Sequence, residues 1–156
     1  ALIPGGTRYV RMDPKGRVVI AARHRARLGE PFVMVRGPNR CLLAMPTKQW
    51  QRLARRNGRS RSFREFFLSS AVEVTADATT GRVQIPVELR EWANLHPGTE
   101  VAVADVGDAV TIAPRSAWDE RMRRLERSLM AALGMGQGPE DHHDLPEDDE
   151  AVVNGR

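Results

Sequence analysis

The side chains able to do covalent or metal chemistry are few and scattered along the chain. A catalytic reading needs a nucleophile beside a base, a cluster of metal ligands or a phosphate-cradling loop. His24 stands in an Arg-His-Arg run and His96 before Pro97, each without a partner close in sequence. His142, His143 and Asp144 could bind a metal ion weakly. A polar, flexible stretch fixes no coordination geometry, so a solvated tail explains them more simply. Asp13 could act as an acid, yet a turn-forming aspartate accounts for it as well. The single cysteine, Cys41, opens the apolar run Cys41-Leu42-Leu43-Ala44-Met45 and reads as a small buried side chain. One cysteine allows no disulfide within the chain, which suits a reducing compartment. The expectation is a protein that is not an enzyme, with no metal and no cofactor.

Cations, by contrast, occur in a pattern. Asp13-Pro14-Lys15-Gly16-Arg17 returns as Asp77-Ala78-Thr79-Thr80-Gly81-Arg82, and aligning Gly16 with Gly81 superposes Val18 on Val83, Ile20 on Ile85 and Arg25 on Arg90. Taken alone, any of these arginines is most simply solvated surface. A Gly-Arg step repeated at matched places is a displayed group. An arginine on a two-stranded β ribbon can pair in bidentate fashion with guanine O6 and N7 in the major groove of DNA, while neighbouring cations meet phosphates. The candidate DNA-contacting residues are therefore Lys15, Arg17 and Arg82, with Arg11 and Arg25 beside them, on turns formed by Asp13, Gly16 and Gly81. Charge agrees: residues 1–139 carry +10, whereas residues 140–156, with seven acidic side chains and Arg156, carry −6. A body this basic suits a polyanionic partner. The acidic tail is expected to compete with DNA for the basic face.

The elements that must position these groups follow from periodicity. Val10 and Met12 alternate with Arg11, and Val18 and Ile20 alternate around Val19, so both stretches read as strands. Asp13-Pro14-Lys15-Gly16 between them has the residues of a type I turn closed by a glycine bulge, which predicts a β-hairpin with Arg17 on the face opposite Val18 and Ile20. The second loop is one residue longer and places Ala78 in the register of Asp13, so its turn must differ. Short helices are expected over Ala22–Leu28 and Val87–Leu95, the latter opened by Pro86. Strands resume at Phe32–Val35 and Cys41–Met45, and again at Val101–Ala104 and Val110–Ala113. Each copy then ends in a longer helix: one capped by Thr47 and carrying Trp50 and Leu53, the other opened by Ser116 with Asp119. Trp118, Met122, Leu125, Leu129 and Leu133 form an apolar stripe along the second, suited to core or subunit contact. Ser62 and Glu65 predict a capping box for a short helix whose Phe63, Phe66 and Phe67 pack between the copies. The divisions are 1–58 and 71–134 for the two modules, 59–70 for the linker with its aromatic helix, and 135–156 for a disordered acidic tail. No apolar run is long enough to span a membrane, and no signal-peptide core is visible at the start, so a cytoplasmic protein is expected.

The Asp13-Pro14-Lys15-Gly16-Arg17 motif, the tandem arrangement, Gly6-Thr7 ahead of it and the helix starts Pro46-x-x-x-Trp50 and Pro114-x-x-x-Trp118 resemble the MraZ family, over about residues 3–133. The resemblance implies a β-rich α+β fold of two tandem AbrB-type modules, each a swapped-hairpin β barrel with peripheral helices. It also implies a ring-forming homo-oligomer, cytoplasmic and nucleoid-associated, that regulates transcription by binding short direct repeats in double-stranded DNA upstream of the division and cell-wall gene cluster. Lys15, Arg17 and Arg82 are the DNA-reading positions it carries over. The chain departs from the family pattern at Ala21, where the second copy keeps Pro86, at the longer second loop and in the added tail. Two other readings share these features: an AbrB-type regulator or antitoxin with different targets, and an oligomeric scaffold whose basic face is incidental.

Overall fold

The computed structural model describes residues 3–135, so the expectations placed on the acidic tail, His142 and His143 lie outside the described residues. Within them the chain runs β1 (Thr7–Arg11), β2 (Arg17–Val19), α1 (Ala22–Leu28), β3 (Phe32–Arg36), β4 (Leu42–Pro46), α2 (Thr47–Asn57) and α3 (Arg61–Phe66), and then β5 (Val72–Val74), β6 (Arg82–Gln84), α4 (Val87–Ala93), β7 (Glu100–Asp105), β8 (Val110–Pro114) and α5 (Arg115–Ala132). Strand, helix and strand-pair thus recur in the order read from the repeat.

The pairing is what periodicity left undetermined. All pairs are antiparallel: a six-stranded sheet in the order β1-β7-β8-β4-β3-β5 and a separate ribbon of β2 with β6. The strands flanking the first turn therefore do not form the expected hairpin. The turn closes, with the Asp13 N–H donating to the Arg17 carbonyl at 2.9 Å, but beyond it β1 leaves for β7 and β2 for β6. Alternation dictates which face of a strand is apolar, and two copies of one module offer each strand a corresponding edge, so the partner is chosen by tertiary packing. The outcome is reciprocal: β1 of the first copy joins the second copy's β7, and β5 of the second joins the first copy's β3. No closed barrel forms among the described residues; the fold is mixed α+β around one large antiparallel sheet.

One core follows from that exchange. Val18, Ile20, Phe32, Met34 and Leu42 of the first copy pack with Val83, Ile85, Val101, Val103 and Ile112 of the second, all fully or almost fully buried. A second cluster lies on the other face of the sheet, where Val35, Leu43 and Met45 meet Phe63 and Phe67. Its aromatics form a chain from Trp50 through Phe63, Phe67 and Phe66 to Trp92, with ring centroids 4.8 to 6.1 Å apart, so the α3 phenylalanines do join the copies.

Helix starts differ from the capping signals in the sequence. α2, α4 and α5 are each entered through a proline, Pro46, Pro86 and Pro114, whose φ near −57° leads directly into the helix, with no side-chain cap. Thr47 instead donates its hydroxyl to the Pro31 carbonyl at 3.0 Å, and Asp119 pairs with Arg115 at 3.5 Å. The cap of α3 is Ser60, which accepts from the Phe63 N–H at 3.1 Å, and not Ser62. Along α5 no residue is buried: Trp118, Met122 and Leu125 are partly covered, Leu129 is 39% and Leu133 65% exposed. The helix is held at its base, where the Arg115 guanidinium lies 3.9 Å from the Tyr9 ring centroid and 3.2 Å from Glu100.

Candidate nucleic-acid interface

In the β2–β6 ribbon Arg17 faces Gln84, Val18 faces Val83 and Val19 faces Arg82. Val18 and Val83 point into the core at 1% and 0% exposure, so the period-two rule sends Arg17, Val19, Arg82 and Gln84 to the outer face. The ladder is extended at both ends by the turn glycines: Ile20 N–H donates to the Gly81 carbonyl at 2.9 Å and Ile85 N–H to the Gly16 carbonyl at 3.2 Å. One rigid ribbon, with a turn at each end, thus carries an arginine from each copy.

Asp13 organises that face. Its Oδ1 accepts from the backbone N–H groups of Lys15 and Arg17, both at 2.9 Å, and its Oδ2 accepts from Arg17 Nε at 2.7 Å. Arg82 Nε lies 4.0 Å from the same oxygen. The second turn is built otherwise. Asp77, and not Ala78, takes the ladder place of Asp13, since its N–H donates to the Arg82 carbonyl at 2.8 Å; the extra residue is absorbed within the loop. Its carboxylate caps that loop by accepting from the N–H groups of Thr79 and Thr80, so Arg82 is not held by its own aspartate. Lys15 is exposed at the tip of the first turn, and its carbonyl accepts from the Gln84 amide at 2.8 Å.

Burial works to raise the Asp13 pKa, but hydrogen bonds from the Arg17 N–H, the Arg17 guanidinium and the Lys15 N–H, together with the Arg17 charge, outweigh it and hold the carboxyl below its ordinary value. The N–H groups of Thr80 and then Thr79 lower Asp77 likewise. A carboxyl whose folded pKa is depressed contributes stability above its unfolded pKa and loses it as pH falls through the folded one. The turns should therefore stay intact through mild acid and loosen only below about pH 4. Thermal unfolding followed against pH checks this: Asp13→Asn should flatten part of the acid limb, and an unchanged limb would remove Asp13 from its cause.

The remaining cations near this face are placed differently. Arg11 lies on β1, opposite Glu100, with Nη1 donating to the Gly98 carbonyl at 2.7 Å. Arg25 is partly buried and donates to the Ile20 carbonyl beneath the second turn. Arg27 is paired with the nearly buried Asp105 carboxylate at 3.1 Å. His24 is buried, its Nε2 3.1 and 3.2 Å from the carbonyls of Gly5 and Gly6, which ties the segment before β1 to α1. The structure thus brings Lys15, Arg17 and Arg82 together, holds Arg25 partly buried against the Ile20 carbonyl and leaves Arg11 exposed on the Gly98 carbonyl. Sequence reasoning missed Val19 and Gln84 on the outer face, although the repeat aligns them with each other. Among the described residues no group of three or more His, Cys, Asp or Glu side chains is placed to hold a metal ion. No helix among them is long and apolar enough to cross a membrane.

Residues 3–65 match a family model described as "MraZ protein, putative antitoxin-like". The chain is similar to the protein named transcriptional regulator MraZ of Pelotomaculum thermopropionicum, with 39% identity over 115 residues that cover 69% of this chain and 77% of that protein. The protein of the same name from Bifidobacterium longum is 34% identical over 128 residues, covering 78% and 83%. That of Halothermothrix orenii is 33% identical over 124 residues, covering 75% and 85%.

Proposed function

Since the chain belongs to the MraZ family, we propose that it is a DNA-binding transcriptional regulator whose β2–β6 ribbon enters the major groove. The observation that supports this reading most is the outer face of that ribbon, where Arg17 and Arg82 stand on one rigid scaffold with Lys15 at its end. A two-stranded ribbon has the width of the major groove, and a guanidinium fixed through Nε keeps its two Nη groups for a guanine edge. Arg11, exposed on β1, and Arg25, partly buried beneath the second turn, add to the positive field around it. The finer parts of the proposal come from the family resemblance: short direct repeats upstream of the division and cell-wall genes as target, and a nucleoid-associated, cytoplasmic location. It also takes the two copies as swapped-hairpin modules fused in one chain, with the seam at 59–70.

We also propose that copies of the chain assemble into a ring. The apolar α5 stripe of Trp118, Met122, Leu125, Leu129 and Leu133, partly covered at its first three positions and exposed at the last two, supports this. Each ribbon then binds weakly, and the ring presents several to successive repeats at high effective concentration.

A titration of the purified protein against a duplex carrying spaced direct repeats and a scrambled duplex, each at two salt concentrations, tests the proposal. Tighter binding to the repeats is expected, with a log–log salt slope that steepens by about 0.9 for each phosphate neutralised. Equal weak binding to both duplexes would reduce DNA to an effect of charge, and a monomer in sedimentation would remove the ring. The description of the matched family model favours a second reading, an antitoxin of the AbrB type. That reading requires the protein to neutralise a toxin partner, which co-expression growth assays measure.

A further inference from the structure

Two arginines left unused by the reading face are arranged in a crossed pattern. Arg90, on α4 of the second copy, donates through Nε to the Ile85 carbonyl at 2.8 Å and lies directly under Gly16 of the first. A Cβ placed at Gly16 would come within 2.6 Å of the Arg90 guanidinium carbon. Arg25, on α1 of the first copy, donates to the Ile20 carbonyl and lies under Gly81 of the second. The isoleucines complete each unit, because Ile85 N–H binds the Gly16 carbonyl and Ile20 N–H the Gly81 carbonyl. Both glycines have φ near +77°, in the region that disfavours a side chain, so the flat guanidinium occupies space that only glycine leaves open.

We propose that Arg25 and Arg90 are positioning residues that act across the repeat: each sets the height of the reading turn belonging to the other copy. α1 and α4 are otherwise seven-residue helices at the rim of the core, and this contact is where each meets the ribbon end. A guanidinium suits the task, since it donates to the strand-end carbonyl with one edge and presents a planar surface to the glycine above. The first turn is the better anchored of the two, because Gln84 also donates to the Lys15 carbonyl there. The consequence for recognition rests on the DNA reading above; the mechanical role does not.

Amide exchange without DNA tests the mechanical role. In Arg90→Met, exchange at the Gly16 and Arg17 amides should quicken by about tenfold while the Thr80–Arg82 amides change little. Arg25→Met should give the reverse. Faster exchange at each variant's own turn, or equally at both, would overturn the proposal. Arg90→Lys keeps the charge but lacks the planar group, and it carries the same comparison if the methionine variant does not fold.

With the two duplexes, Arg90→Met should reduce the preference for repeats and leave the salt slope unchanged. A slope flatter by about 0.9 would make Arg90 a phosphate contact and overturn the positioning role. If the unmodified protein prefers neither duplex, the DNA reading has failed, and the exchange pattern alone decides the inference.

Discussion

Arg17→Ala is expected to weaken binding to repeat DNA by about 1–3 kcal/mol, roughly fivefold to a hundredfold or more, and to relax the choice of base it faces. Arg82→Ala should cost less. Both arginines stand on the same ribbon, but their freedom differs before any ligand arrives. Arg17 is clamped at 2.7 Å by an aspartate that its own backbone N–H also holds, in a turn tied to the other copy through Gln84 and Ile85. Arg82 is exposed, 4.0 Å from that carboxylate, and the aspartate of its own turn is engaged by two threonine amides. Ordering a free arginine side chain costs up to about 2 kcal/mol of rotamer entropy, so the clamped residue delivers more of its contact as affinity. Fluorescence anisotropy on the repeat and scrambled duplexes measures both variants. Equal losses would show that the clamp confers no advantage and that the longer second loop is harmless.

Phe32→Ala carries the largest expected effect on stability, a loss of about 3–5 kcal/mol. Phe32 is 1% exposed in β3, between Pro46 of β4 and Val74 of β5, so truncation opens a void where three strands meet. A loss of that size is a large share of the stability of a domain of this length. Because the buried cluster draws on both copies, the whole described body should lose it together: denaturant unfolding should show one transition at lower midpoint. Two separated transitions would mean that the copies fold independently despite sharing a sheet.

How much of this was legible varies with the kind of information each feature needs. The repeat, the glycine turns and the alternation of Val18 with Ile20 are local, and the strands and helices stand close to where these features put them. Strand partners were not legible, because a strand's pattern encodes a buried face and not an edge, and duplication doubles the edges on offer. Cap assignments failed at Thr47 and Ser116 for a related reason. A hydroxyl near a helix start satisfies the spacing rule wherever it stands, but a preceding proline fixed the entry, and Thr47 found the Pro31 carbonyl instead. The candidate site was half visible. Arg17, Arg82 and Lys15 follow from turn geometry, whereas the contacts of Arg11 and Arg25 are to carbonyls 87 and 5 residues away. Arg90 was visible only as the aligned counterpart of Arg25, and its task was hidden because the turn it meets belongs to the other copy.

Under the proposed DNA-binding function, the reciprocal pairing of β1 with β7 and β5 with β3 bears on the arrangement of sites that the ribbon would read. Two separate identical chains exchanging strands in this way would form a dyad, and a dyad reads palindromes. Joining the halves in one chain releases them from identity. One turn can then be a residue longer than the other, and Val19 can stand where its counterpart is Gln84. The outer face of the ribbon thereby acquires a head and a tail. On the proposed DNA-binding function, a single ribbon with polarity would meet the two halves of an inverted repeat differently, and sites that all point the same way along the duplex would each present it with the same face.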